Sequence, residues 1–119
     1  MNKLTTQQQI NLLTEVIKDI EKSEDWNFLC HHIARNLRKD YCILLDYESL
    51  TINLEIKKYF PLFTWKNAKQ FEIKETQIHR SSVAWWHSKE KEKRIQFLNW
   101  MINTLKTDSL YGPDNPDYI

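Results

Sequence analysis

Trp85-Trp86-His87-Ser88, followed by a charged run into Arg94-Ile95-Gln96-Phe97-Leu98-Asn99-Trp100-Met101-Ile102, is the stretch that decides the fold. Ser88 has the chemistry of a helix N-cap, and Glu90 and Glu92 suit a first turn. Ile95, Leu98, Met101, Ile102 and Leu105 then recur at helical spacing, which predicts an amphipathic helix ending near Lys106. Phe97 and Trp100 point away from that stripe. The tryptophan pair is expected to anchor the fold, and either ring is free to be core or to line a cleft.

Outward from this helix, the rest of the chain also reads as helical. Ile10, Leu13, Val16, Ile17 and Ile20 give a helix over 6–22, capped by Thr5 or Thr6. Ser23 or Asp25 caps a second, with Trp26, Leu29, Cys30, Ile33 and Leu37 on one face. Phe28, His31, His32 and Arg35 lie off that face, so this helix is sandwiched between layers or meets a ligand or partner. Thr51 and Pro61 bracket a third helix over about 51–60. The run before it, 40–50, is a loop or an extension of the second helix, with a short two-stranded element as the fallback. Thr64 caps a short helix from Trp65 to Phe71. Residues 72–82 lack a period and read as loop with at most one further turn. Beyond Lys106, Tyr111-Gly112-Pro113-Asp114-Asn115-Pro116 is turn chemistry.

The expectation is an all-α fold: a compact single-domain bundle of about five helices over 1–106, with an irregular middle segment and a C-terminal tail over 107–119. Composition agrees. The chain has 119 residues, enough for one domain, and its 41% apolar content is that of a globular protein. Gly112 is the sole glycine, which argues against tight hairpins and phosphate-cradling loops.

Charge is unevenly placed. Residues 1–55 carry six Lys/Arg against nine Asp/Glu, 56–94 ten against four, and 95–119 one against three. The basic middle third favours an anionic partner. The interspersed Glu90 and Glu92 argue against extended duplex nucleic acid. The N-terminus has no apolar signal region and no segment reaches the roughly 20 apolar residues of a membrane span, so a cytoplasmic protein with reduced thiols and no membrane association is expected.

Chemistry-bearing motifs are scarce. Cys30, His31, His32, Cys42, His79 and His87 lack the paired spacing of a zinc site, so no metal and no cofactor are expected. Neither cysteine lies in a nucleophile signature and no serine has a glycine elbow. The reading therefore leans away from an enzyme and assigns no catalytic residue. What remains is a candidate pocket for a small anionic, nucleotide-like ligand, formed by Trp85, Trp86, Arg80, His87 and Arg94, with His32 and Arg35 as contributors. Aromatic rings stack on a base, while arginine or a helix N-terminus holds its phosphate. The alternative is a protein-binding inhibitor or assembly module that presents Phe28, His31 and Trp100 to a host protein.

Trp26-Asn27-Phe28-Leu29-Cys30, Tyr59-Phe60-Pro61-Leu62-Phe63, Trp85-Trp86 and 94–102 share a style. In size, glycine poverty and Lys/aromatic richness, the chain resembles the small helical accessory proteins of bacteriophages and bacterial mobile elements. The resemblance implies a context in a bacterial host cell: action by binding, and in many cases evasion of host immune defence. It carries over no functional residue.

Overall fold

A computed structural model describes residues 3–22, 29–45, 52–77, 84–88 and 90–108, with 75–77, 84–87 and 108 described by backbone alone. Among the described residues, the protein is an all-α domain of five α-helices carrying one short two-stranded ribbon: α1 (Thr6–Lys22), α2 (Leu29–Tyr41), α3 (Ile52–Tyr59), α4 (Trp65–Ala68), β1 (Lys74–Gln77), β2 (Ala84–His87) and α5 (Lys91–Asp108).

α1 begins at a reciprocal cap. The Gln8 amide donates to Thr5 Oγ1 (3.1 Å) and the Thr5 amide donates to Gln8 Oε1 (2.9 Å), so two of the helix's orphan donors are satisfied at once. Its buried residues include Ile10, Leu13, Val16 and Ile20, as their spacing predicts, with Leu12 widening the stripe. α2 is the central helix, in contact with α1, α3 and β2. It buries Leu29, Cys30, Ile33 and Leu37 on the expected face, and His32, Ala34 and Asn36 beside it. Of the residues off that face, His32 is buried, His31 is half-buried and Arg35 is exposed, so the helix is covered there only in part. Trp26 and Phe28 lie outside the described residues.

The start of the 40–50 run extends α2 to Tyr41, and the helix stops because Cys42 turns left-handed (φ 56°). The Cys42 amide donates to the Arg38 carbonyl and the Ile43 amide to the Leu37 carbonyl, each at 3.1 Å. These bonds satisfy carbonyls that the helix end would otherwise leave open. After α3, a tight corner follows: Phe63 donates to the Phe60 carbonyl (2.8 Å) and Thr64 to that of Leu62 (2.9 Å). Thr64 Oγ1 then caps α4 by accepting from the Asn67 amide. The helix predicted over Trp65–Phe71 is realised as α4 plus a 3-10 turn over Lys69–Phe71, ended by Glu72 at φ 61°.

Two expectations are corrected. Residues 72–82 are not all loop: β1 pairs antiparallel with β2, with Lys74 opposite His87, Glu75 opposite Trp86, Thr76 opposite Trp85 and Gln77 opposite Ala84. β1 is Lys-Glu-Thr-Gln, so it has no apolar alternation for a sequence reading to find. Secondly, α5 starts at Lys91, not beside Ser88. Ser88 Oγ still accepts from the Glu90 amide (3.3 Å), and the Glu90 carbonyl accepts from Lys93. Phe97, off the stripe, is fully buried. A second layer covers the side of α5 that the stripe leaves outside: Phe97 lies 6.0 Å from Phe63, 5.6 Å from Phe71 and 6.3 Å from Trp100, ring centre to ring centre. α5 also runs two residues past Lys106, and the tail from 109 lies outside the described residues.

Candidate functional site

The residues singled out from the sequence fall on three elements and one segment outside the described residues. Trp85, Trp86 and His87 form most of β2, and their side chains are not described. Arg80 lies in the undescribed 78–83 connection. His32 and Arg35 are on α2, which packs against β2, so these two sets are carried by neighbouring elements. Arg94 lies in the first turns of α5 and is 1% exposed, at the level of the core phenylalanines.

The α2 residues belong to a polar network with α1. Asp19 accepts from Arg35 Nη2 (2.5 Å) and from Asn36 Nδ2 (2.9 Å), and Asn36 Nδ2 also meets the His32 carbonyl (2.8 Å). Burial acts to raise the Asp19 pKa. The hydrogen bonds from Arg35 and Asn36, with the charges of Arg35 and His32, outweigh it and hold the carboxyl below its ordinary value. Arg35 is itself exposed, and His32 beneath it is buried. Burial lowers the Arg94 pKa, with nearby Glu92 opposing the shift. A cation this deeply placed is a strong local charge, because low-dielectric surroundings screen it little.

The alternative protein-binding face is divided. Phe28 is outside the described residues. Trp100 is half-buried and packs on Phe71 at 5.9 Å, so much of its ring is spent on the aromatic layer. His31 is half-buried.

Sequence reasoning missed the concave surface around Tyr41. One hollow of about 450 Å³ is lined by Asn11, Leu12, Thr14, Glu15, Asp40 and Tyr41. A second, of about 240 Å³, lies among Lys3, Leu4, Gln8, Tyr41, Cys42 and Ile43. Tyr41 belongs to both, and its hydroxyl donates to the Gln8 carbonyl (3.4 Å). Burial, then the adjacent Asp40, raises its pKa. The larger hollow carries Glu15 and Asp40, so its charge is wrong for an anion. The Tyr41-Cys42-Ile43 run has no period that would have announced it.

Cys30 is buried, and its thiol donates to Asn53 Oδ1 on α3 (2.6 Å), whereas Cys42 is exposed. Among the described residues, no three His, Cys, Asp or Glu side chains converge as metal ligands, and no helix is long and apolar enough to cross a membrane. No protein-family model, curated protein or solved structure matches the chain.

Proposed function

We propose that this chain is a phage-type accessory protein that works by binding, sequestering a small anionic, nucleotide-like ligand beside the contact of β2 with α2. The observation that carries the reading is the packing of α2 against β2. It makes neighbours of the strand bearing Trp85, Trp86 and His87 and the helix bearing His32 and Arg35. In this reading the tryptophans stack on the base, and Arg35, His87 and Arg80 hold the phosphate. Arg94 supplies positive potential from within the core. Arg35 exchanges part of its bond to Asp19 for the ligand, which places a modest cost on binding. The bacterial cytoplasm and the evasion of a nucleotide immune signal are the setting that the phage-type resemblance supplies.

Isothermal titration against a panel of cyclic and linear nucleotides tests this. Heat with at least one, reduced tenfold or more in Arg35→Gln, supports it, and no heat with any of them refutes it.

A second reading, an inhibitor or assembly module acting on a host protein, draws on Leu44 and Leu54, which are 74% and 61% exposed. Isolated exposed leucines are common. A stoichiometric host protein in a pull-down, abolished by Leu44→Ser with Leu54→Ser, would favour this reading over ligand capture.

A further inference from the structure

Between Lys57 and Lys74 the chain carries five lysines and one carboxylate, Glu72, which is bridged to Lys93 of α5. All five lysines are exposed. The segment folds as a corner. α3 ends at Tyr59, a hydrogen-bonded turn over Phe60–Thr64 follows, and α4 begins at Trp65. Its inward residues are Ile56, Phe60, Phe63, Ala68 and Ile73, all in the core. Burying that set fixes the others outside: Lys57 and Lys58 before the corner, Lys66 and Lys69 after it. Among the described residues, none of these four makes an ion pair with a carboxylate. Tyr59 and Trp65 lie between these lysines in sequence and are half-buried against the core.

We propose that this corner, Lys57, Lys58, Lys66 and Lys69 around Tyr59 and Trp65, binds single-stranded nucleic acid. The four ammonium groups provide the sequence-independent attraction to phosphates. The two rings, held by the core behind them, offer platforms on which unpaired bases stack. A duplex keeps its bases stacked inside and gains nothing from those rings. The patch is also short, a helix end and a helix start, which matches a few nucleotides rather than a long duplex tract. An acidic protein segment would satisfy the lysines but leave the rings unused. This proposal does not rest on the site proposed on β2 and α2.

Fluorescence anisotropy with a labelled oligothymidylate tests the proposal on the full chain. Binding should weaken steeply with salt. The K57Q/K58Q/K66Q/K69Q variant should lose at least tenfold in affinity, and its log–log salt slope should fall by about 3, from roughly 0.7 per phosphate contact on a single strand. All four positions are exposed, so the variant should keep the wild-type circular dichroism spectrum and melting temperature. An abasic oligomer of equal length should bind at least tenfold more weakly, because it keeps the phosphates and lacks the bases. Absence of binding at low salt would overturn the proposal. So would unchanged affinity in the quadruple variant, or equal binding of the abasic oligomer, of a duplex of the same length, or of polyglutamate.

Discussion

The Asp19 carboxylate on α1 accepts a 2.9 Å hydrogen bond from Asn36 Nδ2 on α2, whose own position is fixed by the His32 carbonyl at 2.8 Å. Two helices are thus tied by a charged acceptor at the edge of the core. Hydrogen bonds to an ionised group contribute about 1.5–3 kcal/mol when lost. Asp19→Asn keeps an acceptor and removes the charge, so it should destabilise the protein by about 1 kcal/mol at neutral pH. The folded carboxyl is held below its unfolded value of roughly 3.9. Its stabilisation is present above that unfolded value and is lost as pH falls through the folded one. Urea melts of wild type and variant should differ at pH 7 and converge as pH falls through the depressed pKa of the folded carboxyl. A gap that stays constant as the pH is lowered would contradict the assignment.

Phe97 joins the aromatic layer of Phe63, Phe71 and Trp100. Phe97→Ala opens a cavity there and should cost about 3–5 kcal/mol. Leu105 belongs to the stripe read from the sequence but is only half-buried, and Leu105→Ala should cost under about 2 kcal/mol. Chemical denaturation of the two variants ranks them, and the reverse order would contradict the burial pattern.

Cys42 occupies a left-handed conformation that costs a non-glycine residue roughly 1–2 kcal/mol. Glycine removes that cost and adds back roughly 0.5–1 kcal/mol of chain entropy in the unfolded state. Cys42→Gly should raise the melting temperature by about 3 °C. Cys42→Val, branched at the β-carbon, should lower it.

The two thiols differ in access. Cys42 is exposed, while Cys30 is buried with its thiol on Asn53. A thiol-specific chromogenic reagent should label one equivalent within minutes in native buffer and the second only in denaturant. Two fast equivalents would show that the α2–α3 contact opens readily.

The helices were legible where burial is one-sided. α1 carries a single apolar stripe, and its bounds follow from Thr5 and Lys22. α3 and α4 follow from Pro61 and Thr64. The ribbon was not legible, because Lys74-Glu75-Thr76-Gln77 is defined by its partner strand and not by its own pattern. α5 buries two sides, so a one-stripe reading caught Leu98, Met101 and Ile102 and gave no sign of the layer that covers Phe97. Of the candidate site, residue types were legible and depth was not. Nothing in the sequence separates Arg94, buried in the core, from Arg35, exposed beside Asp19. The hollow beside Tyr41 is made by two helices meeting and has no sequence signature.

α1 finds its most extensive packing partner in α5, and Lys91 Nζ reaches the Glu21 carbonyl 70 positions away. On a translating ribosome, the apolar face of α1 therefore waits, uncovered, until α5 has left the exit tunnel. Closing so long a loop must precede any reward from the contacts it makes. Native structure should arise after α5 emerges and in one step, and a nascent chain arrested before Lys91 should remain sensitive to protease along α1.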